Sequence, residues 1–262
     1  MIEEAVNSGY RESNSTADRA LTILNMFDDR RLVVSANEVA STLSVARSTA
    51  YRYLQSLVTS KFLEEAPGGG FRLGLRLLEL AKLARRGYGL SDAALPLMQD
   101  LAERFHQTVL LTRRVGSSIV CVEREEADGQ YVRLSYERGT TLPINAGASA
   151  LILLAWSPED EIRSLLSSQQ LHKFTPNTVV DVGQLMERLE AIRAQGYSVT
   201  HGEVDPDMMG VAVPVFREDG VVVACLSFVV FENRLQGVTA EKLIAALLVS
   251  ARQLGAVLEL SS

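Results

Sequence analysis

Arg47, Ser48, Thr49, Tyr51 and Arg52 are the residues whose types and spacing suggest chemistry in this chain. They fall within VARSTAYRYLQSLV at 45–58. At about 100° per residue, Arg47, Tyr51, Gln55, Ser48 and Arg52 share a helical arc of about 140°. Ala46, Ala50, Tyr53, Leu54 and Leu57 share a separate arc of about 100°. One side would pack while the other offers guanidinium, hydroxyl, phenol and amide groups. Arginine can bridge O6 and N7 of guanine, and Ser or Thr hydroxyls hold phosphate. The chemistry on offer is therefore recognition of nucleic acid. A solvated surface helix would carry the same polarity, so the neighbouring elements must decide.

STADRALTILNMFDD at 15–29 predicts a first helix, with Ala17, Ala20, Leu21, Leu24 and Phe27 inward and Ser15 or Thr16 at its start. Ser35 and Glu38 have the spacing of a capping box, opening a second helix whose inner face is Ala36, Val39, Ala40 and Leu43. After the third helix, KFLEEAPGGGFRLG at 61–74 predicts two short strands around a turn at Pro67 and Gly68–Gly70. Three helices and a hairpin make a winged helix-turn-helix. Lys61 and Arg72 lie where they could contact phosphate. LRLLELAKLARR at 75–86 predicts an amphipathic helix ending in Arg85-Arg86, with Gly87 and Gly89 closing it. It suits a linker helix, and its leucine face a dimer seam.

From Ser91 the pattern changes. A helix at 91–106 is followed by strand-like runs at 108–115, 118–124 and 131–136. Helical stretches near 147–156, 158–167 and 182–195 come next, then strands at 197–201, 210–216 and 221–230 and a last helix at about 239–258. This is an α+β domain with a mostly antiparallel sheet flanked by helices. The division reads as a loose N-terminus at 1–14, a DNA-binding domain at 15–74, a linker helix at 75–90 and an effector-binding and oligomerisation domain at 91–262.

The net charge of the 262 residues is −6. It is unevenly spread. Residues 1–86 hold 12 basic and 10 acidic residues, a balance of +2, and the rest hold 14 and 22, a balance of −8. No acid lies between Glu38 and Glu64, whereas Arg47, Arg52 and Lys61 do. A weakly basic module on an acidic body fits a DNA reader joined to a sensory domain. No apolar run reaches the roughly 20 residues of a membrane span. The first 30 residues lack the basic start and apolar core of a secretory signal, so a cytoplasmic protein is expected. Cys121 and Cys225 sit in apolar runs and read as buried thiols. His201, Glu203, Asp205 and Asp207 are metal-capable types, but a polar loop beside Pro206 accounts for them, and no metal or cofactor is expected. No GxSxG elbow, P-loop or GxGxxG occurs, so no enzyme is expected.

The order of these parts resembles the IclR family of bacterial transcription regulators over about 15–260. The resemblance rests on DRALTIL at 18–24, SVARSTAYRYLQSLVTSKFLEE at 44–65 and FRLGLRLLEL at 71–80. In the second domain it rests on LPINAGASALILLAW at 142–156, FTPNTVVD at 174–181, AIRAQGYSVTHGE at 191–203 and GVAVPVF at 210–216. It implies a winged helix-turn-helix reading double-stranded operator DNA, with repression favoured over activation. It also implies a GAF-like domain that binds a small organic effector, in a homodimer or dimer of dimers. The effector pocket it implies is lined by Leu142, Ala148, Ser149, Thr200, Met208, Gly210, Ser227 and Val229.

Departures from the family pattern bear on the ligand. Asn145 stands where binders of small carboxylates tend to have histidine, and Ala150-Leu151 replaces Gly-Lys. Thr200 replaces an acid, Gly210 a cysteine and Val229 a serine. These changes suggest fewer polar handles, more room and a larger, more apolar effector, such as an aromatic acid or lactone. The competing reading is a GAF-like ligand-binding or enzymatic module whose helix-turn-helix serves protein contacts.

Overall fold

The computed structural model describes residues 15–28, 31–126, 136–168, 170–234 and 239–260, with the side chains of 15, 84–88, 234 and 259–260 outside that set. The expected loose segment at 1–14, and 131–135 of an expected strand, lie outside the described residues. The chain divides into two compact units between Ala84 and Arg85.

The N-terminal unit contains α1 (Ser15–Leu24), α2 (Ala36–Leu43), α3 (Arg47–Thr59), β1 (Leu63–Glu65) and β2 (Phe71–Leu73). Its core gathers Ile23, Val34, Val39, Ala50, Leu54, Leu63 and Phe71. The inward stripe expected of α1 is met in part: Ala20, Leu24 and Phe27 pack against the core, but Ala17 and Leu21 do not. Ile23 is fully buried and Met26 nearly so, while Leu21 is 58% exposed. Both stripes of α1 carry apolar residues, and the helix stops at Leu24. A turn then folds Met26 under, its N–H bonding the Ile23 carbonyl at 3.1 Å. The capping box forms as the spacing requires: Ser35 Oγ accepts from the Glu38 N–H at 3.2 Å, and the Ser35 N–H donates to Glu38 Oε2 at 2.7 Å. The Ser35 backbone N–H, and then its hydroxyl, hold the Glu38 carboxyl below its usual range.

α3 begins at Arg47, so Ala46 is an extended N-cap residue and lies exposed, away from the expected packing face. In the hairpin, Leu63 faces Leu73, Glu64 faces Arg72 and Glu65 faces Phe71. Val34 adds a bridge to Phe71, with N–H···O bonds of 2.9 and 2.8 Å. Gly68, Gly69 and Gly70 all have positive φ, at 94°, 99° and 85°. A Cβ on Gly70 would stand 2.9 Å from the Val34 carbonyl oxygen, so both the turn and the bridge require glycine there. α4 (Arg76–Tyr88) then carries the chain across the division and continues through Gly87; Gly89, with φ 60°, separates it from the next helix. Leu75, just before α4, and Leu78 and Leu83 within it are exposed.

The C-terminal unit runs α5 (Leu90–Phe105), β3 (Thr108–Val115), β4 (Ser118–Glu125), β5 (Thr141–Leu142), α6 (Ala148–Ala155), α7 (Glu159–Ser168), α8 (Val182–Gln195), β6 (Ser198–His201), β7 (Met208–Phe216), β8 (Val222–Phe231) and α9 (Ala240–Leu260). Among the described residues, six strands form one antiparallel sheet in the order β5-β4-β3-β8-β7-β6. Two apolar clusters lie on its two faces. Val109, Leu111, Val211, Val213, Leu226 and Phe228 pack with residues of α5 and α9. Leu110, Ala212 and Cys225, one residue out of phase, pack with residues of α6, α7 and α8. The strands therefore alternate between two covered faces, as the period of two dictates. β7 starts at Met208, two residues earlier than the sequence suggests, and this brings Met208 into register with Phe231. β5 is a two-residue strand that sequence periodicity does not reveal.

Candidate DNA-reading surface and effector cavity

On α3, Arg47, Ser48, Tyr51 and Arg52 are exposed and Thr49 is half-buried. Ala50, Leu54 and Leu57 on the other side are buried. The arc that the sequence marks out is thus divided by the hairpin. Tyr51 meets Phe71 edge-on, with ring centroids 5.9 Å apart and planes at 70°. Gln55 Nε2 donates to Glu65 Oε1 at 3.3 Å. Arg72 pairs with Glu64 across the hairpin at 3.0 Å. Lys61 is exposed just beyond α3, in a left-handed conformation with φ 62°. On the inner side, Arg19 Nη1 donates to the Tyr53 hydroxyl at 2.9 Å, tying α1 to α3. Sequence spacing gives no signal for that contact, since Arg19 and Tyr53 lie on different helices.

In the second unit, Leu142, Ala148, Ser149, Thr200, Met208, Gly210, Ser227 and Val229 all line one cavity. It holds about 430 Å³ of atom-free space, its open mouth included. Strand alternation explains the convergence. Gly210 lies opposite Thr200 on one side and Val229 on the other, so the three form a row across β6, β7 and β8. Ser149, from the first turn of α6, donates its hydroxyl to Ser227 Oγ at 2.8 Å, both residues being buried.

Three of the lining residues outside the expected set have polar side chains. Tyr136 is 8% exposed; burial, then Asp205 and Glu203, raise the pKa of its phenol and keep it protonated. Asp205 itself lines the wall. Glu203 is 5% exposed and bound at both oxygens, to Arg188 Nη2 at 2.6 Å and from the Gly147 N–H at 3.1 Å. It belongs to the quartet with metal-capable side chains, but that quartet disperses: His201 pairs with Glu232 at 2.6 Å. Among the described residues no group of three or more His, Cys, Asp or Glu could hold a metal ion.

Three inferences from the departures need correction. Asn145 does not open the cavity; its amide nitrogen donates to the His172 and Val179 carbonyls at 3.1 and 3.0 Å, pinning a neighbouring loop. Gly210 does not add room. A Cβ there would stand 2.8 Å from the Thr200 hydroxyl and 3.1 Å from the Ala148 Cβ, so its neighbours already fill that space. Polar handles are also not scarce, since Tyr136, Ser149, Thr200, Glu203, Asp205 and Ser227 all line the wall. No described helix is long and apolar enough to cross a membrane.

A winged helix with a basic, hydroxyl-bearing helix face, in one chain with a sheet domain around a small-molecule cavity, defines a ligand-responsive DNA-binding regulator. Comparison with known families gives the same class. The IclR helix-turn-helix domain matches residues 16–67, and the bacterial transcriptional regulator IclR C-terminal domain matches 84–256. The chain belongs to the IclR family of bacterial transcription regulators. It is 29% identical to the HTH-type transcriptional regulator XynR of Escherichia coli, over 84% of this chain and 87% of that protein. It is 26% identical to the HTH-type transcriptional repressor AllR of Salmonella paratyphi A, over 80% of this chain and 77% of that one. Among solved structures, an IclR homolog from Microbacterium hydrocarbonoxydans complexed with 4-hydroxybenzoate is 28% identical. It aligns with a TM-score of 0.77 over 94% of this chain and all of the other.

Proposed function

We propose that this regulator reads duplex DNA with α3 and alters that contact when a compact, neutral organic molecule enters the cavity. Arg47, Ser48, Thr49 and Arg52 face the major groove, the arginines suited to guanine edges and the hydroxyls to phosphate. Lys61 and Arg72 flank them and suit phosphate. Two copies, as a homodimer or dimer of dimers, read a pseudo-palindrome in the cytoplasm. Repression is the favoured outcome, a reading supported by the name of the AllR relative. No enzymatic step belongs to this reading.

The charge of the cavity wall carries the proposal about the effector. Among the described lining residues the charged side chains are Glu203 and Asp205, with no Lys, Arg or His. Arg188 neutralises Glu203, so a free carboxylate would meet no net positive charge in a partly desolvated wall. Between an aromatic acid and a lactone, the wall therefore favours the neutral compound. A single-ring molecule is supported by the 4-hydroxybenzoate bound by the Microbacterium relative, an aromatic acid against which a neutral analogue is to be compared. α4 would transmit the response, which requires the effector to bind two DNA-spacing states with different affinity.

Calorimetric titration with an aromatic acid, its neutral ester or lactone, and two- and three-carbon keto acids tests the effector class. Tightest binding by a keto acid would reject it. Gel shifts on the gene's own upstream region, with and without the tightest ligand, test the response. Unchanged affinity and unchanged DNA geometry at saturation would reject the coupling.

A further inference from the structure

We propose that Tyr51 positions the hairpin β1–β2 against α3 and does not itself read DNA, an inference that rests on α3 being the reading helix. By sequence Tyr51 groups with its neighbours Arg47 and Arg52 on the open arc. The contacts separate it from them. The Tyr51 ring stands edge-on to Phe71 at 5.9 Å. Phe71 is 4% exposed and bonded through both its N–H and its carbonyl to Val34, so it is fixed in the unit's core. One helical turn further along, Gln55 reaches Glu65 Oε1. Glu65 and Phe71 are direct cross-strand partners in the hairpin. Tyr51 and Gln55 therefore grip the two members of one strand pair from one helix face.

The neighbouring pair in that register is Glu64 and Arg72. Arg72 can reach phosphate only at the angle at which the hairpin is held. The tip between the strands, Gly68–Gly70, has glycine's wide backbone freedom and does little to set that angle. The buried Leu63 and Phe71 and the Val34–Phe71 bridge seat the hairpin, and the Tyr51 and Gln55 side chains of α3 brace it further. An edge-on aromatic pair favours the docked hairpin by a factor of about two to ten. Holding it before DNA arrives removes an ordering cost from binding.

The test uses the full-length protein and a duplex that the wild type selects from a random pool. Tyr51→Phe keeps the ring edge and removes the hydroxyl. It should bind within about twofold of wild type and keep the same base preference. Tyr51→Ala should bind roughly five- to tenfold more weakly. Its plot of log affinity against log salt should be shallower by about 0.9, one phosphate contact, because the hairpin no longer delivers Arg72. Arg47→Ala, measured beside them, tests the reading helix separately, since its failure to weaken binding would count against α3 and not against the role of Tyr51. A Tyr51→Phe protein as weak as Tyr51→Ala would overturn the proposal, because the hydroxyl would then touch DNA. So would a Tyr51→Ala protein of wild-type affinity, or a weakened one with the wild-type salt slope. Thermal melting checks each fold; if Tyr51→Ala melts below the assay temperature, Tyr51→Leu takes its place.

Discussion

Gly210 lies against Ala148 in the wall of the cavity, so closely that a Cβ on the glycine would stand 3.1 Å from the alanine Cβ. The strand β7 and the first turn of α6 thus meet without a side chain between them. The cavity depends on that closeness, because Ser149, the next residue of α6, bonds Ser227 on the adjacent strand.

Gly210→Val should push α6 off the sheet. We expect a stability loss of about 1–3 kcal/mol, as for other overpacked sites. Ligand affinity should fall at least tenfold, while DNA affinity without ligand stays at the wild-type value. Urea denaturation, calorimetry and gel shifts check the three parts.

The buried Ser149–Ser227 pair should behave as a unit. Ser227→Ala leaves the Ser149 hydroxyl without its acceptor and should destabilise the protein by about 1–3 kcal/mol. The double variant Ser149→Ala with Ser227→Ala should lose less than the two single losses together. A double-mutant cycle in urea measures the difference, and strict additivity would argue against the bond.

On the DNA side, Arg47→Ala and Arg52→Ala should each weaken binding to a selected duplex by about 1–3 kcal/mol and relax preference at one base position. The measurement must hold salt constant. Wild-type affinity in both variants would remove these residues from the reading face.

Burial pushes the Cys121 thiol up to about 11 and that of Cys225 up to about 12. Both lie in the sheet, on the face covered by α6. At pH 8 a thiolate-specific reagent should leave the native protein untouched and react with both thiols in urea. The raised values also set a sign. The folded state favours the neutral thiol, so its contribution is complete below the unfolded value of about 9 and lost as pH rises through about 11. Melting temperature should accordingly fall across that window. Replacing both cysteines with alanine should flatten this part of the profile.

What could be read from the sequence was local or periodic. The Ser35–Glu38 capping box and the glycine-tipped hairpin are each written in a few adjacent residues, and both form. The cavity residues on β6, β7 and β8 combine a family resemblance with a period of two that the sheet preserves. What was not legible depends on distant partners. The inward phase of α1 is legible only in part: Ala20, Leu24 and Phe27 pack against the core as expected, but Ile23 and Met26, on the neighbouring stripe, are the residues that packing buries. The place of Glu203 in the cavity wall is not legible because its partners, Arg188 and the Gly147 amide, are remote in sequence. The role of Asn145 is not legible because the carbonyls it satisfies belong to a loop some thirty positions on.

Strand β8 has a further consequence. Ser227 and Val229 line the cavity, while Leu226 and Val230, alternating with them, belong to the apolar layer that includes α9; Phe228 belongs to that layer and also borders the cavity. The cavity wall and the bearing surface of the terminal helix therefore share one hydrogen-bonded ribbon, itself held between β3 and β7. A loop could absorb the arrival of a ligand by local adjustment. A central strand has no such slack, so a molecule that presses on this wall loads the whole plate of the domain at once.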